Sequence, residues 1–363
     1  MQGRRLAAVE RLASSYARLR GSPDEPSCVR DPERPLLSCG KLSHDLLQLR
    51  HLRVAGILGS EADSIIDAFV AAFDGFSGTE PEFRRPLDPH REPLLDRYYG
   101  RIIHLAAAPR LPQALAEGWS RSAVQEIYLT QPPGIVIIDD FLTPDALGSL
   151  RRFCLDSTVW HRNRYAHGRL GAFFLTGFAC PLLAQIAEEL REQLPHLIGG
   201  RHPLRQLWGF KHPPVLPADS TVHADFAAVN VNFWITPESE NDDSNSGGLV
   251  IYEADAPADW DFSAYNERPD LIKGFLVEKR VGSRYIHYKQ NRAIIFNSDL
   301  FHATAGVHFK SDYESRRINI TMLYGERALD EHHPGISDRS CSRASAASAR
   351  PAWRSSAWSH RRR

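Results

Sequence analysis

Between Leu204 and Gly325 the chain breaks into seven short strand-like segments, "LRQLWGFKH", "TVHADFAAVNVNFWIT", "GGLVIYEA", "SRYIHYK", "RAIIFNS", "FHATAGVHF" and "RRINITMLYG", separated by Gly, Pro, Asn and acidic turns. Many short alternating strands with turn chemistry between them must bury a shared face, so this half of the chain is predicted to close into a barrel or a sandwich. Just upstream, the β-branched run Ile135 to Ile138 is followed by Thr143-Pro144, an N-cap and first helical residue, which reads as a strand and then a helix. A further helix, "CPLLAQIAEELREQLPHLIGG", is predicted to end at its Gly pair.

The first part of the chain has a different period. Up to about Val124 the apolar residues recur at helical spacing, in "MQGRRLAAVERLASSYARLRG" and, after the Pro-rich connector "GSPDEPSCVRDPERP", in "KLSHDLLQLRHLRVAGILGSEADSIIDAFVAAFDGF". Ser43 and Ser60 are the expected N-caps. Another helix is expected in "DRYYGRIIHLAAAPRLP", stopped by Pro112. The expected division is a helical N-terminal region over 1–125, a strand-rich domain with flanking helices over 126–329, and a disordered Ser/Ala/Arg-rich tail over 330–363.

Composition narrows the classes of function. Lys plus Arg and Asp plus Glu both number 44, so no global basic field exists to draw the chain to nucleic acid. The five cysteines, Cys28, Cys39, Cys154, Cys180 and Cys341, are scattered and form no C-x-x-C pair, which fits a reducing cytoplasm. The N-terminus lacks the uninterrupted apolar core of a signal peptide, and no stretch has the roughly 18 apolar residues of a membrane span.

The strand region carries a candidate metal site. In an extended strand residues two apart share a face, so His223 and Asp225 can present an imidazole nitrogen and a carboxylate to one point. With one distant histidine they make the ligand set of a non-haem Fe(II) facial triad, which leaves coordination positions open. His302 follows the buried run Ala293 to Phe296 and a turn at Asn297-Ser298-Asp299, and is preferred to His308 and His287. A chelating dicarboxylate co-substrate would need a fixed cation, and alternation in "RRINIT" places Arg317, Asn319 and Thr321 on one face. Asn230, Asn232 and Trp234 share a face of the preceding strand, either lining that pocket or satisfying neighbouring backbone groups. Trp208 and Lys211 are further candidates to face the pocket from the preceding strand, with a core position the commoner role for Trp208.

With His223-x-Asp225, then His302, then Arg317 in "RRINIT", and "SGGLVIYE" between them, the chain resembles the Fe(II)- and 2-oxoglutarate-dependent dioxygenases, particularly the prolyl-hydroxylase-like branch, over about 134 to 325. The resemblance implies an α+β protein with a double-stranded β-helix, a jelly-roll or cupin-like barrel. It implies Fe(II) on His223, Asp225 and His302, and 2-oxoglutarate held at its far carboxylate by Arg317, with O2 as oxidant. The interval from His302 to Arg317 exceeds the family's, "VHFKSDYES" filling it as an extended hairpin; strand phase selects Arg317 over Arg316. A carboxylate at Asp225, where halogenating relatives carry a small residue, favours hydroxylation.

The implied activity is hydroxylation of an unactivated carbon on an amino-acid or peptide side chain or a natural-product intermediate, with no nucleic-acid or membrane partner. Two rivals are a non-enzymatic barrel used for binding or sensing, which would not turn over 2-oxoglutarate, and a nucleic-acid demethylase, which would need a basic groove with stacking aromatics. Arg162, Arg164, Tyr165, His167 and Arg169 form a polar stretch where relatives place substrate-contacting loops, or simply a solvated loop. "PESENDDSNSGG" reads as a hairpin loop or lid. "EADAPADWDFSAYNERPD" reads as a lid or an insertion that packs down through Trp260 and Phe262.

Overall fold

A computed structural model describes residues 36–79, 83–218 and 222–327. The expected first helix, the Pro-rich connector and the tail lie outside the described residues. A short antiparallel ribbon, β1 (Leu36–Ser38) with β2 (Arg84–Pro86), flanks helices α1 (Cys39–Val54), α2 (Ala62–Asp74) and α3 (Pro93–Tyr98). Their apolar residues, among them Leu42, Leu49, Ile65, Phe69 and Tyr99, form a cluster of their own. Polar bonds fasten this unit to the rest: Gln48 donates to the carbonyls of Leu155 and Ser157, and Lys41 to that of Trp160.

Three local expectations change. Helix α1 starts earlier than Ser43 because Ser38, extended at the end of β1, accepts from the backbone N–H of Lys41; α2 is preceded by Glu61, not Ser60. Only the end of α3 falls within "DRYYGRIIHLAAAPRLP". The segment after it stays irregular because side chains satisfy its backbone: Thr158 Oγ1 accepts from the amides of Ile103 and His104, and Ser157 Oγ from that of Ala106.

After α4 (Arg121–Thr130) comes β3 (Val136–Ile138), then α5 (Pro144–Asp156), which Thr143 caps and Pro144 opens. Next come β4 (Leu170–Phe173) and α6 (Pro181–Gln193), which ends before the expected Gly pair, just ahead of Pro195. The strand-rich half holds β5 (Leu204–Lys211), β6 (Val215–Leu216), β7 (Val229–Trp234), β8 (Leu249–Asp255), β9 (Ser283–Ile286), β10 (Ala293–Asn297), β11 (Leu300–Thr304), β12 (Val307–His308) and β13 (Ile318–Tyr324). Helix α7 (Pro269–Glu278) lies between β8 and β9.

All of these strands pair antiparallel. One sheet has the order β3-β10-β7-β13-β5-β4, a second β11-β8-β9, and a two-stranded ribbon β12-β6. The outer face of the large sheet, with Val231, Phe233, Ile295, Ile320 and Met322, packs on α5 and α6 through Leu150, Phe153, Leu183 and Ile186. Its inner face contributes Trp234, Ile294 and Phe296 to a second cluster, met by Leu249, Ile251, Leu300 and Phe309 from the smaller sheets. Strand β7 is therefore buried on both sides.

"VHFKSDYES" does not form an extended hairpin. Strand β12 pairs with β6, and a 3-10 turn at Tyr313–Ser315 buries Tyr313, whose hydroxyl donates to the Leu155 carbonyl. The "EADAPADWDFSAYNERPD" segment does pack down: Trp260 and Phe262 close on Val222, Ala224 and Phe301. Among the described residues no helix is long and apolar enough to cross a membrane.

Candidate metal centre

Residues 222–225 run as a short extended segment beside β11. His223 and His302 exchange both backbone hydrogen bonds, at 3.0 and 2.8 Å, and the Asp225 amide donates to the Ser298 carbonyl. Val222 and Ala224 point into the apolar cluster around Phe301, leaving His223 and Asp225 to the opposite side. The β11–β8 register shifts between Leu300 and His302, a bulge of the kind that re-aims a side chain. The Phe296 ring packs against the His302 imidazole edge to face, ring centroids 5.0 Å apart.

One ligand atom from each of His223, Asp225 and His302 lies within 4.8 Å of the other two. His302 Nε2 is 3.5 Å from Asp225 Oδ2, and His223 Nε2 is 3.8 Å from Asp225 Oδ1. Atoms bound at about 2.1 Å on one face of an octahedral ion would stand roughly 3 Å apart, so a small inward movement completes the set. His302 Nδ1 is 3.0 Å from the Leu300 carbonyl, placed to donate there, and its Nε2 faces Asp225. Asp225 is 4 % exposed and accepts from Asn230 Nδ2 at 2.8 Å. Burial opposes its charge, yet contacts with His302, His223 and Asn230 hold its carboxyl below the usual range.

Arg317, Asn319 and Thr321 share the inner face of β13. Arg317 is 1 % exposed; its Nε donates to the Gly247 carbonyl at 2.6 Å and an η-nitrogen to Asn319 Oδ1 at 3.2 Å. The same η-nitrogen is 3.3 Å from His212 Nδ1, and the guanidinium lies over Trp234 and Tyr288. Burial lowers the Arg317 pKa to about 10 and keeps His212 well below its ordinary value. Asn232 Nδ2 donates to Thr321 Oγ1 at 3.0 Å, tying β7 to β13 across the same face. Arg316 points the other way, into a buried group with Asp45, Lys211 and Tyr313.

Three buried atoms on this inner face have no hydrogen-bond partner: Asn230 Oδ1, Asn232 Oδ1 and Trp234 Nε1. Such orphans require a ligand or water. Of the other two candidates, Trp208 lies opposite Thr321 on the inner face, whereas Lys211 lies opposite Ile318 and is buried outward against Tyr313 and Trp160. A spacing of three puts these two on opposite sides of one strand. His212 joins the site without a motif of its own in the sequence; its even spacing from Trp208 and Phe210 is the signal that puts it on their face.

No protein-family model and no curated protein matches the chain. Among solved structures it is similar to a Pseudomonas putida prolyl-4-hydroxylase, at 15% identity and TM-score 0.34, over 61% of this chain and 98% of that one. It is also similar to SnoK, a non-haem α-ketoglutarate-dependent carbocyclase from nogalamycin biosynthesis, at 12% identity and TM-score 0.41, over 64% and 94%. A third likeness is to HygX from Streptomyces hygroscopicus with nickel, 2-oxoglutarate and hygromycin B bound, at 14% identity and TM-score 0.39, over 56% and 86%.

Proposed function

We propose that the chain is an Fe(II)- and 2-oxoglutarate-dependent oxygenase that hydroxylates an unactivated carbon, its substrate a small molecule or a peptide side chain. The observation that carries this reading is the convergence of His223, Asp225 and His302 on one point. Two imidazoles and a carboxylate suit a first-row divalent ion with open positions, and Fe(II) with 2-oxoglutarate would there supply the oxidation of a C–H bond by O2. The donor set fits such a group. So does the pocket beside it, where Arg317 and the orphaned atoms of Asn230, Asn232 and Trp234 are suited to a small oxygen-rich anion.

Each residue has a definable task in this reading. Asp225, kept ionised, neutralises part of the metal charge, and Asn230 fixes its orientation. The Leu300 carbonyl sets the tautomer of His302. Arg317 anchors the far carboxylate of the co-substrate, with neutral His212 and Asn319 holding the guanidinium in place. Trp234, Asn232, Asn319 and Thr321 line the same pocket, and Tyr288 closes it beside Trp234, ring centroids 5.2 Å apart. His223, with its side chain 29% exposed, marks the side from which a substrate reaches the centre.

In this reading the two sheets are the halves of a double-stranded β-helix belonging to an oxygenase domain over 126–329, preceded by the helical region 1–125, in a cytoplasmic enzyme. Oxygen-dependent release of succinate from 2-oxoglutarate tests it. Release should require added Fe(II) and vanish in Asp225→Ala; no release in a broad substrate screen would leave the binding or sensing reading.

A further inference from the structure

The inner face continues past Arg317 onto β5 and β4, where its character changes. Trp208 and Phe210 stand opposite Thr321 and Asn319, and Phe173 stands opposite Trp208. All three rings are half-buried, and Phe173 lies 6.0 Å from Trp208 and 6.4 Å from Phe210. Arg169, just before β4, holds its guanidinium at one end of this shelf, 4.7 Å from the Phe210 ring centroid and 4.9 Å from that of Tyr165. Proximity to two rings that meet edge to face, their centroids 4.9 Å apart, holds the charge in place.

Among the described residues, no carboxylate pairs with Arg169 or with Arg317. The two flank β5: Leu170 and Ile318 both stand opposite Lys211, which puts Arg169 and Arg317 on either side of His212, and after burial the charge of Arg169 is among the influences that weaken the proton affinity of both Arg317 and His212. Two half-buried to buried guanidiniums on one sheet face without an acid form an anion site larger than one carboxylate can satisfy. A metal dication with Asp225, and a 2-oxoglutarate dianion with Arg317, balance one another. The Arg169 charge is left over.

We propose that Arg169 binds an anionic group, a carboxylate or a phosphate, on the primary substrate, whose flat or apolar part lies along Phe210, Trp208 and Phe173. This rests on the oxygenase reading and narrows it to an anionic small molecule. A bidentate guanidinium fixes both the position and the orientation of such a group, and so selects which carbon faces the metal.

The test uses the protein loaded with Zn(II), as a redox-silent stand-in for Fe(II), and 2-oxoglutarate, so that Arg317 is occupied. Benzoate, phenyl phosphate and neutral benzyl alcohol are titrated while tryptophan fluorescence, which Trp208 should report, is followed. One of the anions is expected to bind at least about ten-fold more tightly than the alcohol, and the tighter of the two identifies carboxylate or phosphate. Arg169→Met should weaken that anion by about ten- to a hundred-fold, and Arg169→Lys, which keeps the charge but not the fork, should fall between. Equal binding of anion and alcohol, or equal anion binding in wild type and both variants, overturns the proposal. So does a loss of 2-oxoglutarate affinity in Arg169→Met as large as the loss for the anion, which would assign Arg169 to the co-substrate. If 2-oxoglutarate fails to bind the wild-type protein in equilibrium dialysis, the oxygenase reading falls and takes this one with it. If it binds and the anions do not discriminate, this one falls alone.

Discussion

His302 Nε2 faces Asp225 Oδ2 at 3.5 Å while its Nδ1 faces the Leu300 carbonyl at 3.0 Å. The backbone of β11 thus aims one imidazole nitrogen at the carboxylate, and Asn230 fixes that carboxylate from β7. His302→Ala and Asp225→Ala should each abolish measurable Fe(II) binding in equilibrium dialysis. Asn230→Ala should retain it with affinity lowered by about 10- to 100-fold, as for other residues that orient a metal ligand. Unchanged affinity in Asn230→Ala would show that its contact does not orient Asp225.

Arg316 and Arg317 are adjacent and do opposite things. Arg317→Ala should raise the 2-oxoglutarate concentration needed for half-maximal succinate release by at least about ten-fold, a charge-assisted anchor being lost, while sparing Fe(II) binding. Arg316→Ala should leave that concentration nearly unchanged and lower the thermal midpoint, because Arg316 shares a buried group with Asp45 and Tyr313. The reverse pattern would mean the anchor is Arg316.

Gly209 lies on the outer side of β5, where an added Cβ would stand 2.8 Å from Phe178 Cζ and within 3.3 Å of two further ring atoms. Phe178 is fully buried between Phe153 and Trp160 and has nowhere to move. Gly209→Ala should therefore cost about 1–3 kcal/mol of stability in chemical denaturation. A neutral result would indicate that β5 is free to shift against Phe178.

His161 is buried with Nε2 unpartnered; burial first, then the charges of Lys41 and Arg162, push its pKa down to about 3. Unfolded, it would titrate near its ordinary 6.5, so between these values the unfolded chain binds a proton that the folded one refuses. Its contribution is fully present above pH 6.5 and is lost as pH falls toward 3. His44 and His212, also held well below their ordinary values by burial, act in the same direction. Unfolding free energy should fall with acid, and His161→Gln should reduce the slope by up to about 1.4 kcal/mol per pH unit. An identical slope in that variant would show that His161 is protonated in the folded protein.

Strand phase was the most legible property of the sequence. Alternation within "RRINIT" and "AVNVNFWIT" is enough to group Arg317, Asn319 and Thr321, and Asn230, Asn232 and Trp234, and both groups share the inner face of the large sheet. What alternation cannot supply is the partner across the sheet. His212 meets Arg317 only because β5 pairs with β13 in one register, and Tyr288 reaches Trp234 from a separate turn. Helix limits were less legible where tertiary contacts override local preference. Ser38 caps α1 at the end of a strand, and the hydroxyls of Ser157 and Thr158 hold residues 103–106 out of a helix. The Arg169 shelf illustrates the same limit, since its rings come from a loop, from β4 and from β5.

In the proposed enzyme His223, Asp225, His302 and Arg317 together hold Fe(II) and 2-oxoglutarate. Anaerobic titration of the protein with both should develop a weak visible charge-transfer band that neither component gives alone. The band should be absent in His302→Ala and, in Arg317→Ala, should require more 2-oxoglutarate. No band in the wild-type protein at saturating Fe(II) and 2-oxoglutarate, or a band that survives His302→Ala unchanged, would contradict it.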